Sequence, residues 1–323
     1  MTNRIGSNIA VVGAGALGSY FGGVLARAGQ RVTLIGRPGH VEAINKSGLL
    51  ILVNGREERV SVSATVDVSA VRDADLVLFC VKSFDTETTA AAIAPHLAPD
   101  AVVLSLQNGV DNPESIGRHV RNQVIPVLVY VGANIPAPGS VRHTGGSNIV
   151  IGQLKSSAPD RALLDGIAAL FGSAGLNVKI SGDIEADLWI KLLMNATYNA
   201  VSALGRSAYG RMVAMPEINA IMREAAAEVV AVAKAKGVRL PDDIIETAMK
   251  LADTMPQTTS STAQDIAKGR STEIAYLNGT ILQQGRALGV ATPVNGALNA
   301  LIKLLEQSIA AGAGADVAKR RGT

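Results

Sequence analysis

The chain turns from its first strand into its first helix through glycines, and few architectures accommodate that. Ile9–Val12 is wholly apolar, Gly13-Ala14-Gly15-Ala16-Leu17-Gly18 follows at once, and Leu17–Ala28 has the length of a helix. Unbroken hydrophobicity over a strand length marks a strand covered on both faces, the pattern of parallel sheets. Within the turn the glycines have separate tasks. Gly13 makes the tight bend, Gly15 lets the backbone approach a pyrophosphate, and Gly18 lets the helix close on the strand. The phosphates would rest on N–H groups at the helix start. This predicts a nucleotide-binding loop spanning Gly13, Ala14, Gly15, Ala16, Leu17 and Gly18.

The pattern repeats through the first half. Val32–Ile35, Leu76–Val81, Ala101–Leu106 and Val124–Val131 are further apolar runs of strand length, and Thr86–His96 reads as a helix between them. Leu49–Val53 and Arg59–Ser63, around Asn54-Gly55, read as a hairpin at a sheet edge. Beyond about residue 181 the character changes. Asp183–Leu204, Met215–Gly237, Pro241–Met255 and Thr272–Leu288 read as helices, and no strand is expected there. The expected fold is α/β: an N-terminal Rossmann-type doubly wound sheet over residues 1–182, carrying NADP, followed by a mainly α-helical substrate and catalytic domain over residues 183–323.

Composition narrows the function classes. Aromatic residues are 3% of the chain and the net charge is only +3, which fits neither the stacking platforms nor the basic surface of nucleic-acid binders. Cys80 is the single cysteine, so no internal disulfide can form and a reducing compartment is expected. No apolar run reaches the ~20 residues of a membrane span, and the first strand begins too early for a signal peptide. A cytoplasmic protein is expected. Nor does any cluster of His, Cys or carboxylates have metal-ligand spacing.

The end of the second strand addresses the choice of dinucleotide. NAD enzymes place an acidic residue there for the ribose 2′-hydroxyl. This chain reads Leu34-Ile-Gly-Arg37-Pro-Gly-His40, with no carboxylate and a guanidinium suited to a 2′-phosphate. NADPH is therefore the expected cofactor. Two more strand ends, Val81-Lys82-Ser83 and Gln107-Asn108-Gly109, fall on the edge where open α/β sheets bind ligands. Lys82 and Asn108 would border the nicotinamide.

In the helical half, Lys191, Asn195 and Asn199 recur at intervals of four among Ala, Leu and Val, so they share a helix face. Hydride delivery to a ketone builds negative charge on oxygen, and the site needs a proton donor there. His40, His96, His119 and His143 all lie in segments read as loops or connections. Lys191 is the better donor, with Asn195 and Asn199 orienting it and the substrate across an expected interdomain crevice.

These features together resemble the ketopantoate reductase (2-dehydropantoate 2-reductase) family over nearly the whole chain. The resemblance rests on the GAGALG loop, Val81-Lys82-Ser83-Phe-Asp, Gln107-Asn108-Gly109, Lys191-Leu-Leu-Met-Asn195, Ser260-Ser261-Thr-Ala-Gln264-Asp265, Thr272-Glu273-Ile, and Asn278-Gly279 before Gly289 and Pro293. It implies NADPH-dependent reduction of ketopantoate to pantoate, on the route to pantothenate and coenzyme A. Lys191 would be the general acid, Lys82 and Asn108 would line the cofactor–substrate junction, and Asn195 and Asn199 would contact substrate. Ser261 would hold the substrate carboxylate and Glu273 its terminal hydroxyl. The residues alone read Ser260–Thr262 as a helix cap and Glu273 as a first-turn acid. Thr258 and Tyr209 stand where some members carry asparagine. Three alternatives stay open: a reductase of other 2-oxo acids, a related 3-hydroxy acid dehydrogenase, and an NADP-binding sensor without chemistry. The apolar C-terminal helix around Asn295–Leu305 would suit a homodimer.

Overall fold

The computed structural model describes residues 7–156 and 160–321, which form two compact units, Met1–Asp187 and Leu188–Thr323. The first unit is built on ten strands: β1 (Asn8–Val12), β2 (Arg31–Ile35), β3 (Leu49–Val53), β4 (Arg56–Val60), β5 (Ser63–Thr65), β6 (Leu76–Phe79), β7 (Val102–Ser105), β8 (Val124–Asn134), β9 (Ser140–Ile151) and β10 (Asn177–Ile180). Their order is β4-β3-β9-β8-β7-β6-β1-β2-β5, with β10 added to β9. The stretch from β8 through β7, β6, β1 and β2 to β5 is parallel throughout.

Burial explains the unbroken apolar runs. Ile9 and Val11 of β1 belong to one hydrophobic cluster, while Ala10 and Val12 belong to another. Successive side chains of a strand point to opposite faces, so both faces of β1 are covered. All four residues of β6, and all four of β7, are likewise buried. The covering helices are α1 (Ala16–Arg27), α2 (Pro38–Ser47), α3 (Thr86–Ile93), α4 (Asn112–Gly117) and α5 (Arg161–Ser173).

The hairpin lies where expected, with β4 at the sheet edge, but its loop is tighter. Asn54 (φ 49°) and Gly55 (φ 75°) alone connect the strands, both in the left-handed region that two-residue hairpin turns require. Other differences have physical causes. Arg37-Pro-Gly-His40 is the start of α2 and not a loop, because proline is tolerated at the first helical positions. Strand β9 carries His, Thr, two glycines, Ser and Asn; pairing with β8, β3 and β10, not hydrophobicity, makes it a strand.

The division between units falls within α6 (Ile184–Gly205). The second unit continues with α7 (Tyr209–Ala214), α8 (Pro216–Ala235), α9 (Ile244–Met249), α10 (Leu251–Thr254), α11 (Ser261–Ala267), α12 (Asn278–Leu288) and α13 (Pro293–Arg321). The single helix expected over Thr272–Leu288 is broken. A one-turn 3₁₀ segment, Ile274–Tyr276, precedes α12, with Leu277 outside helical geometry between them (φ −112°, ψ −97°). The core of this unit gathers Tyr198, Val201, Met222, Met249, Leu298 and Ile302.

Candidate functional site

In the first unit the candidate residues fall at the carboxyl ends of four adjacent parallel strands. Gly13–Gly18 follow β1, Arg37 follows β2, Lys82 follows β6 and Asn108 follows β7. Chain order reverses direction at β1, whose neighbours are β2 and β6, and that switch point is where such sheets take ligands. Gly13 has φ 98°, and a Cβ there would lie 2.7 Å from the Val81 nitrogen. The loop therefore presses directly against the strand end that leads to Lys82. A Cβ on Gly18 would meet the Gly13 carbonyl oxygen at 2.2 Å, so the helix start is closed onto its own loop. Gly15 differs: it caps α1, is exposed, and a Cβ on it would meet nothing within 4 Å. Open space over the first-turn N–H groups, which lack intrahelical acceptors, fits a pyrophosphate. Arg37, at the N-cap of α2, is exposed.

A buried polar network joins the loops that carry Lys82 and Asn108. Gln107 donates through Nε2 to the Val81 carbonyl (3.0 Å) and to Thr86 Oγ1 (2.7 Å). Thr86 donates to Asn112 Oδ1 (2.9 Å). Asn112 Nδ2 donates to Ser83 Oγ (3.1 Å) and to the Asn108 carbonyl, which Ser83 Oγ also reaches at 3.3 Å. Buried hydrogen-bonding groups left unsatisfied are costly, so this network holds both loops in one arrangement. The sequence singled out Gln107-Asn108 but gave no sign of Thr86 or Asn112 as partners.

In the second unit, Lys191, Asn195 and Asn199 do lie on one helix, α6. Asn199 is buried, and Lys191 and Asn195 are partly so. Desolvation pulls the Lys191 ammonium down from 10.5 to about 8, against the opposing pull of the Glu273 carboxylate. Glu273, 8% exposed, precedes the 3₁₀ turn rather than opening a helix. The structure thus brings together two groups separated by most of this unit's sequence. Ser260 caps α11, accepting from the Ala263 N–H, and donates to the Asn199 carbonyl (3.0 Å). This ties the start of α11, where Ser261 is exposed, to α6. A second anchor lies behind α6. Asn278 donates to the Ala196 carbonyl (3.0 Å) and to Asn295 Oδ1 (2.9 Å), and Asn295 donates to Glu228 (2.7 Å). Tyr209 is a core residue, its ring 4.5 Å from that of Tyr198, while Thr258 accepts the Tyr209 N–H at its carbonyl (3.0 Å).

Other candidates fall away. His119 pairs with Glu87 at the surface (3.1 Å) and His143 stacks on Tyr20. Burial pushes the Cys80 thiol far up, which makes it a poor nucleophile. No group of three or more metal-ligating side chains occurs among the described residues, nor among them is any helix long and apolar enough to cross a membrane.

Residues 9–156 match the family model described as Ketopantoate reductase PanE/ApbA, and residues 183–306 match its C-terminal counterpart. The chain is 34% identical over 302 residues to a 2-dehydropantoate 2-reductase of Halobacterium salinarum, covering 93% of this chain and 99% of that protein. The chain belongs to the ketopantoate reductase family. Among solved structures, a PanE/ApbA family ketopantoate reductase from Ralstonia eutropha JMP134 shares 45% identity and superposes with a TM-score of 0.87, over 94% of this chain and 99% of that one. D-mandelate dehydrogenase, solved with NADH and anilino(oxo)acetate, matches with the same TM-score at 27% identity, over 94% and 99% of the two chains.

Proposed function

We propose that this protein reduces 2-dehydropantoate to pantoate with NADPH. The observation that carries the reading is Lys191: an ammonium on an apolar helix, brought by desolvation to about 8, where it can both hold and release a proton near neutral pH. Residues 1–182 are assigned to the cofactor and 183–323 to the substrate. Gly13, Ala14, Gly15, Ala16, Leu17 and Gly18 would hold the pyrophosphate, Arg37 the 2′-phosphate, and Lys82 and Asn108 the nicotinamide end. When bound, NADPH supplies the hydride. Lys191 donates its proton to the carbonyl oxygen as negative charge grows there, and its positive charge stabilises that oxygen beforehand. Asn195 and Asn199 orient the 2-oxo acid, and Ser261 meets its carboxylate. Glu273 accepts a hydrogen bond from the terminal hydroxyl, a contact that a substrate lacking that group cannot make.

The resemblance to D-mandelate dehydrogenase favours a second reading, reduction of 2-oxo acids without a terminal hydroxyl. NADPH oxidation followed with ketopantoate and with branched or aromatic 2-oxo acids separates the two. A preference of about a hundredfold for ketopantoate, roughly 2.7 kcal/mol of transition-state discrimination, supports the first. Equal kcat/KM across the panel would give the second, and turnover of none would leave a cofactor-binding sensor. We also place the enzyme in the cytoplasm, with its reduced dinucleotide pool, and propose a homodimer through the exposed Leu301 and Leu304 of α13. Light scattering of Leu304→Glu tests the latter.

A further inference from the structure

His40, a poor candidate for the proton donor, bridges α1 and the turn before β9 through its two ring nitrogens. Its Nδ1 lies 3.0 Å from the Gly139 nitrogen and must accept that N–H. The proton of the neutral ring is therefore on Nε2, which donates to Ser19 Oγ at 3.0 Å. Ser19, fully buried in α1, donates its hydroxyl to the Ala14 carbonyl at 3.3 Å. The relay thus runs from the turn before β9, through the first turn of α2, to the middle of the phosphate loop. Burial holds the His40 imidazole below its ordinary value, consistent with one neutral tautomer.

The surrounding packing leaves little play. The Gly13 and Ala14 N–H groups both donate to the Ile35 carbonyl (3.0 and 2.9 Å), and a Cβ on Gly36 would lie 2.7 Å from that of Ala14. On the other side Gly139, at φ 76°, packs so closely on Ala43 of α2 that a Cβ would approach within 2.9 Å. Arg37 stands at the N-cap of this clamped helix, and the His40 and Val41 N–H groups both donate to its carbonyl (3.1 Å each).

We propose that His40 is a positioning residue for dinucleotide selectivity, fixing Arg37 relative to the phosphate loop through Ser19 and Gly139. The proposal rests on the reading of Arg37 as the 2′-phosphate ligand. Pre-organised groups bind more tightly because less motion is lost on binding. Loosening α2 should weaken the contact made only by the 2′-phosphate and spare the pyrophosphate contacts that both dinucleotides share.

The test is the ratio of NADH to NADPH dissociation constants, by fluorescence titration of the intact protein. Arg37→Ala should collapse the ratio towards one. His40→Leu, which fills the space without hydrogen bonds, should lower it about tenfold, the equivalent of 1.4 kcal/mol. His40→Gln, which keeps one donor and one acceptor, should stay within about threefold of the parent. A general loss of fold quality would weaken both dinucleotides alike and leave the ratio intact. Should His40→Leu fail to fold, Ser19→Ala removes the other end of the relay and should lower the ratio in the same direction. An unchanged ratio in His40→Leu or its substitute, while Arg37→Ala collapses it, overturns the proposal. An unchanged ratio in Arg37→Ala overturns the Arg37 reading itself.

Discussion

Replacing Lys191 with methionine should abolish turnover and also change how stability responds to pH. Desolvation lowers this ammonium from 10.5 to about 8. At about 1.36 kcal/mol per decade of proton affinity, keeping Lys191 charged costs the folded protein on the order of 3 kcal/mol. That cost is fully present below about pH 8 and is relieved as pH rises towards 10.5, because the unfolded chain then binds more protons than the folded one. Relative to Lys191→Met, the wild type should therefore gain on the order of 2–3 kcal/mol of unfolding free energy between pH 7 and pH 10. Urea denaturation of both proteins at several pH values measures the difference directly. The same proton governs the chemistry: kcat/KM for reduction should be level below about pH 8 and fall about tenfold per pH unit above it. A stability difference flat in pH would mean that the ammonium is not desolvated, and the case for Lys191 as the acid would fail with it.

Glu273→Gln removes a charge that opposes this desolvation, so the falling limb of the pH–rate profile should move to lower pH; a limb that stays in place would uncouple the two residues. The glycines of the phosphate loop should separate by role. Gly18→Ala forces a methyl group onto the Gly13 carbonyl and should cost about 1–3 kcal/mol of stability, as overpacking does. Gly15→Ala should leave Tm unchanged, since its Cβ enters open space, yet weaken NADPH by about tenfold or more where the pyrophosphate must approach. Equal Tm losses in the two variants, with NADPH affinity intact, would count against the loop as a phosphate cradle.

Much of this was legible because the signals are local. The glycine loop, the buried strands and the spacing of Lys191, Asn195 and Asn199 depend on neighbours within two helical turns. What stayed hidden depends on partners far along the chain. Strand β9 owes its conformation to flanking strands and not to its own residues. The start of α2 reads as a turn until proline at the helix start is weighed against proline in a loop. Glu273 and Ser261 carried no signal of their own, since their tie to α6 is made by folding. His40 reads as a loop histidine because Ser19 and Gly139 lie 21 and 99 residues away from it.

The network of Ser83, Thr86, Gln107 and Asn112 has a consequence for how this enzyme can change over generations. Each hydrogen-bonding group there serves another, so a lone substitution strands a buried partner and is selected against even where the reaction would tolerate it. A second substitution that restores the match must arrive with the first or soon after it. The loops carrying Lys82 and Asn108 are thus free to drift only in compensated pairs. New substrate preferences should instead arise first on the helical unit, where Ser261 is open to solvent and a single exchange leaves fewer buried groups without a partner.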